Sequence, residues 1–364
     1  MRRNTKLATT LGASALLLAS AGTSAVEMEM GKAKLSFYGE LDVWAGSVEN
    51  PGSADSTLKL DSGGMNTSFA GMSGTMPLMD GLTGVAALEM FLRPDVGDNG
   101  RFNGDTFFAR SAYVGLQGKY GKVTAGRNTA PYYLPNVFFN SFGGSFAFSP
   151  TILHTYSGGL FGPVAGDSGW SNSIAYYSPS VNGLRGSVVY AFGEQPGESG
   201  DNKMGFHLLY NTGGFGMTLS GYQVDAGAAT APNANGGGLG PLGSFSGLGV
   251  LEDQMAMMFG ASYDFGAAKI FGQYQYMETE LTGGDADIDT FTAGVRVPTP
   301  SGAVKVAYGM SDFGDDMDDE RNTTTVGYDH YFGGNFDLYA AVMHDEIKSL
   351  ESSMTYGVGA RFRW

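Results

Sequence analysis

From Met354 to Trp364 the side chains alternate strictly. Met354, Tyr356, Val358, Ala360, Phe362 and Trp364 are apolar, whereas Thr355, Gly357, Gly359, Arg361 and Arg363 are small, polar or cationic. A period of two is that of an extended strand with one apolar face. Such a strand fits a soluble sandwich, its polar face in water, or a membrane barrel, its apolar face in lipid and its polar face lining a lumen. The pattern recurs and predicts strands near 33–47, 65–75, 82–92, 107–117, 122–128, 171–178, 184–192, 204–211, 215–224, 254–263, 267–278, 289–297, 303–311, 322–332, 336–345 and 354–364. These are sixteen, and bacterial single-chain barrels close on an even number.

The connections separate the two readings. Pro77 to Gly81, Gly118 to Gly121, Pro179 to Gly183, Thr212 to Gly214, Asp264 to Gly266, Pro298 to Gly302 and Gly333 to Asn335 are tight turns. They alternate with long loops that hold most of the acidic residues and the Gly/Ala/Asn/Pro stretch 226–249. Short turns on one rim and long loops on the other is the arrangement of an outer-membrane barrel. Aromatic residues flank many strands, among them Trp44, Tyr113, Tyr120, Tyr176, Tyr190 and Tyr274, as expected of rings at a membrane–water interface. No linker divides the chain, so one barrel domain is expected over residues 26–364. Ahead of it, a basic start (Arg2, Arg3, Lys6), an apolar run from Leu7 to Ala19 and the small residues Thr23-Ser24-Ala25 predict a signal peptide at 1–25.

Composition narrows the function. The chain holds 21 basic and 36 acidic residues, and loss of Arg2, Arg3 and Lys6 leaves 18 against 36, a net charge of −18. That surface repels nucleic acid, so no nucleic-acid partner is expected. Cysteine is absent, which removes disulfides, thiol catalysis and Cys-ligated zinc. The four histidines, His154, His207, His330 and His344, offer only the neighbours His344-Asp345 as a suggestive pair, and adjacency in sequence is weak grounds for a catalytic dyad. Neither an enzyme nor a cofactor is expected. The run Gly314-Asp315-Asp316-Met317-Asp318-Asp319-Glu320 lacks EF-hand spacing and reads as solvated surface, with divalent bridging to lipopolysaccharide as the sharper alternative.

Four segments resemble the general porins of Gram-negative proteobacteria. They are Leu35-Ser36-Phe37-Tyr38-Gly39-Glu40-Leu41-Asp42, Phe108 to Leu116 continuing through Gly121 to Arg127 with Pro131 beyond, Asn172 to Pro179 followed by Gly183, and the terminal Gly357 to Trp364. The resemblance implies an all-β fold, a 16-stranded antiparallel transmembrane β-barrel with an inward-folded loop 3. It also implies an outer-membrane homotrimer that passes ions and small hydrophilic solutes by passive diffusion. The third long loop, from about Asn128 to Trp170, should then narrow the lumen opposite Arg110 and Arg127. Phe362 and Trp364 resemble the terminal signal read by the barrel-assembly machinery, where Phe is usual and Trp364 departs. Outer-membrane lipid and lipopolysaccharide complete the implied partners.

Alternation assigns lumen-facing side chains without the resemblance. Glu40, Asp42, Glu89, Arg110, Arg127, Arg185, Lys269 and Arg296 are expected to line the pore, together with Lys305, Arg361 and Arg363. A mid-strand charge on the lipid face would cost about 2–4 kcal/mol. Two features depart from the family: Phe69 and Ser73 stand where second-strand arginines are common, and no charged residue occurs from Asn128 to Gly166. Tyr132, Tyr133, Phe138, Phe139 and Phe142 crowd that loop instead. An aromatic constriction facing arginines predicts weak charge discrimination, with a channel biased to sugars or less polar solutes as the alternative and an adhesin or receptor barrel as a further one.

Overall fold

The computed structural model describes residues 25–157, 164–194, 202–225, 251–314 and 318–364. The expected signal peptide up to Ser24, the stretch 226–249 and Asp315 to Met317 of the acidic run lie outside them. In chain order the strands are β1 (Val26–Met30), β2 (Ala33–Val48), β3 (Thr57–Ser62), β4 (Phe69–Met79), β5 (Leu82–Arg93), β6 (Asp98–Asn99), β7 (Ser111–Gly118), β8 (Gly121–Thr129), β9 (Gly169–Tyr177), β10 (Leu184–Ala191), β11 (Lys203–Thr212), β12 (Phe215–Asp225), β13 (Leu251–Asp264), β14 (Lys269–Leu281), β15 (Ala286–Thr299), β16 (Gly302–Asp312), β17 (Glu320–Tyr331), β18 (Phe336–Ile347) and β19 (Ser353–Arg363). Two short helices, α1 (Tyr133–Phe138) and α2 (Pro150–Tyr156), lie between β8 and β9.

Sixteen strands close into a barrel: β2, β4, β5 and β7 through β19. Consecutive members pair antiparallel, and β19 returns to β2 with Arg363 opposite Glu40 and Arg361 opposite Asp42. Closure leaves no unpaired edge, as spanning lipid requires. The hairpins turn where the sequence places them; Gly213 and Gly333, at φ 56° and 79°, adopt the left-handed backbone that such turns need. Alternation is clearest in β18, where Asp337, Tyr339, Ala341, Met343 and Asp345 are buried and Phe336, Leu338, Ala340 and Val342 are exposed. Exposed apolar residues on an outer wall are what a lipid-facing surface presents.

Three short strands fall outside the sixteen. β1 folds back on the start of β2, and β6 extends a hairpin from β5. β3 pairs with the upper part of β2 while β4 pairs with its lower part, so 63–68 interrupts one barrel strand. This corrects the expected strand 65–75, which begins at Phe69. The reason is Asp42: its carboxylate accepts backbone N–H groups of Gly64, Met65 and Asn66 and also faces the Tyr339 hydroxyl. Three peptide donors on one inward carboxylate hold the excursion off the wall.

The segment between β8 and β9 lies against lumen-facing positions of the far wall. Tyr132 donates to Gln275 Oε1 (2.8 Å), Ser141 to the Val306 carbonyl (2.8 Å), and His154 bridges Ser311 and Thr323 at 2.7 and 2.8 Å. Bare backbone on the wall makes the close approach geometrically available. A Cβ on Gly260 would stand 3.2 Å from Phe139, and one on Gly327 would stand 3.0 Å from Phe142. Tyr132, Ile152 and Tyr156 then share an apolar core with inward Val189, Tyr222, Met258, Met277 and Ile288.

Candidate functional site

Beneath this segment, on the tight-turn side, lies a cavity of about 800 Å³. Its position follows from strand register, because its charged side chains stand near strand ends that meet at tight turns. Arg185 is the second residue of β10 and Lys269 the first of β14; Arg296, Lys305, Asp329, Arg361 and Arg363 occupy inward positions at the same level. Val137, Phe138, Phe139 and Phe142 of the constriction segment form the opposite boundary. Phe138 stays half-buried, while Phe139 and Phe142 are buried against Gly260 and Gly327.

One part of this wall is electrically complete. Glu40 pairs with Arg363 (2.6 Å), Arg363 with Asp337 (2.5 Å), Asp337 with Arg361 (2.8 Å), Arg361 with Asp329 (3.5 Å) and Asp329 with Lys305 (2.6 Å). Three carboxylates and three cations thus cancel along the seam where β16 to β19 meet β2. Charge-assisted contacts of this kind fix side chains as well as neutralise them.

The facing part is incomplete. Arg185, Lys269 and Arg296 make no ion pair among the described residues. Arg296 reaches the Tyr331 hydroxyl at 3.2 Å, and the Lys269 ammonium stands 5.0 Å from the centre of the Phe271 ring. Asp264, opposite Lys269 in the register, accepts from the Gly266 N–H within its own turn.

The expected pore residues divide accordingly. Glu40, Arg110, Arg185, Lys269 and Arg296 line the cavity, with Tyr133, Phe138, Phe139 and Phe142. Arg110 is ion-paired to Glu89 and stacks 4.0 Å over the Phe69 ring, so the aromatic residue in place of a family arginine serves as a platform for another. Glu89 also accepts from Tyr38 (2.6 Å) and is buried behind the surface, as is Asp42. Tyr132 is buried against Tyr222 rather than facing the cavity.

Arg127 requires a correction. It was expected to face an uncharged loop across the pore, but it is buried against Asp167 (2.9 Å), and Arg101 grips the same carboxylate (2.5 Å). Asp167 sits one residue beyond the charge-free stretch that ends at Gly166. Burial alone would raise the Asp167 carboxyl, but the two guanidinium groups outweigh it and hold it well below the usual carboxylate range. Arg101 escaped the sequence reading because it lies in a long loop, where no alternation assigns a direction. Phe362 is exposed on the outer wall, its ring stacked on Trp364, whose backbone exchanges hydrogen bonds with Gly39.

Comparison with known proteins bears on this geometry. A family model for Gram-negative porins matches residues 12–350. Outer membrane porin protein 32 of Delftia acidovorans is 27% identical over 356 residues, covering 95% of this chain and 92% of its own. The structure of an anion-selective porin from Comamonas acidovorans superposes with a TM-score of 0.74 at 24% identity, covering 91% of this chain and 100% of that one. A trimer form of OmpT from Vibrio cholerae gives a TM-score of 0.65 at 16% identity over 91% of this chain and 99% of its own.

Proposed function

This chain belongs to the Gram-negative porin family and is an outer-membrane β-barrel, and from that premise we propose that it forms a water-filled channel for small hydrophilic solutes with a preference for anions. The observation that carries the preference is the trio Arg185, Lys269 and Arg296, which line the cavity without ion-pair partners among the described residues. The uncharged loop, with Phe69 and Ser73 in place of second-strand arginines, argues for weak charge discrimination. The loop residues that bound the cavity, Val137, Phe138, Phe139 and Phe142, carry no charge, but fixed positive charge in a narrow aqueous passage still concentrates anions. The Comamonas relative of similar fold is described as anion-selective, which supports this reading. Family and fold are those of a channel; that the chain has no catalytic activity is part of the same proposal.

The assembly proposed is a homotrimer. A hollow of about 510 Å³ on the outer wall, lined by Val43, Ala45, Leu338, Ala340, Val358 and Ala360, offers small apolar residues for close packing against another copy. The test is the zero-current potential of the unheated oligomer in planar bilayers under a KCl gradient, with closure in three steps as the trimer's signature. An anion-directed potential is expected. A cation-directed one would refute the preference, and a value near zero would return the channel to weak discrimination.

A further inference from the structure

The cavity places a cationic row and an apolar ledge at neighbouring levels of one wall. Lys269 stands directly opposite Arg296 across β14 and β15, and Arg296 directly opposite Lys305 across β15 and β16. Like charges in that relation destabilise a sheet. Asp329 pairs with Lys305 at 2.6 Å, whereas Lys269 and Arg296 form no ion pair among the described residues, although Asp264 stands opposite Lys269 in the register. A bound anion would give the two cations a shared partner.

The inward positions of β14 give the vertical order. Gln273 donates to the Asn136 carbonyl of α1, so the constriction segment rests at that level. Phe271 is the next inward residue and Lys269 the one after, each step spanning about 6.6 Å. Phe271 and Phe138 are both partly exposed to the cavity. Aromatic surface left open in an aqueous passage gains by being covered. A cationic floor therefore lies one strand step from an aromatic ceiling, and a chloride or acetate ion would use only the floor.

Resting on the porin reading above, we propose that this cavity is a binding site for aromatic carboxylates, the carboxylate held between Lys269 and Arg296 and the ring covered by Phe271 and Phe138. Binding here would hold such solutes on their way through the channel, as a weak site that raises flux at low concentration.

The test uses the intact oligomer in planar bilayers and compares block of the chloride current by phenylacetate and by acetate. Phenylacetate should act at a concentration at least tenfold lower. Lys269→Gln with Arg296→Gln should remove that block, and Phe271→Ala, or Phe138→Ala should the first fail to fold, should bring phenylacetate to the level of acetate. Equal block by the two anions in the native channel would overturn the site while leaving an anion-directed zero-current potential, and with it the channel reading, intact. Block by benzyl alcohol as strong as that by phenylacetate would overturn it too, since the charge would then contribute nothing. Absence of any conductance would defeat both.

Discussion

Two stretches of the same inner wall carry arginine and lysine at the same height, and they differ in what stands beside each cation. Along the closing seam, Lys305, Arg361 and Arg363 interleave with Glu40, Asp329 and Asp337. Along β10, β14 and β15, Arg185, Lys269 and Arg296 form no such pairs among the described residues. The first arrangement joins the last strand to the first: β19 bonds to β2 through its backbone, and Arg363 ties Glu40 on β2 to Asp337 on β18. The second leaves its charge available to solutes. Cation count alone therefore predicts neither stability nor selectivity; pairing decides which of the two a residue serves.

The sharpest way to break this contrast is to unpair the seam. Asp337 is fully buried and serves both Arg361 and Arg363. Asp337→Asn should leave Arg363 with Glu40 alone and Arg361 with only its longer contact to Asp329, and should cost about 3 kcal/mol, the low end of the range seen when one partner of a buried pair is removed. Denaturant unfolding of the detergent-solubilised protein, followed by gel mobility without heating, should show a clearly lowered midpoint. An unchanged midpoint would mean that the backbone ladder alone holds the seam.

A smaller effect is expected on the open wall, and on selectivity rather than stability. Lys269→Glu with Arg296→Glu should reverse the sign of the zero-current potential, whereas Arg127→Gln should move it little because Asp167 already cancels that charge. Equal shifts from both changes would place Arg127 in the ion path after all.

Much of the barrel was legible because lipid on one side and a lumen on the other impose a period of two on every strand. β19 was readable residue by residue. The polar–apolar alternation blurs where a third surface intervenes. On β13, Met255, Met257 and Phe259 face outward, but inward Ala256 and Met258 are apolar as well, because the constriction segment packs on them. Sequence offered no partner for those positions. The 63–68 excursion was missed for a related reason: Asp42 was read as a pore carboxylate, and nothing local says that its acceptors are spent on backbone N–H groups 22 to 24 residues on. The aromatic loop was anticipated, yet its pin, Asp167, lay one residue past the interval that was read as uncharged.

The finest distinction concerns that loop, two of whose attachments respond differently to acid. Asp167 is held below the ordinary carboxylate range, so its contribution is complete above about pH 4 and fades only as pH falls toward its lowered value. His154 behaves otherwise. Burial, reinforced by the nearby Arg321 guanidinium, keeps its imidazole well below the ordinary 6.5, and both ring nitrogens are engaged with the Ser311 and Thr323 hydroxyls. The unfolded loop therefore takes up a proton first, and the contribution of His154, complete above about pH 6.5, declines as pH falls from there. Between pH 7 and pH 5 the helix α2 attachment should loosen while the Asp167 attachment holds. Single-channel conductance should then change modestly over that interval in the native protein and stay flatter in His154→Gln, which keeps a hydrogen-bonding amide but cannot titrate. Identical pH profiles for the two would show that the constriction does not depend on this histidine.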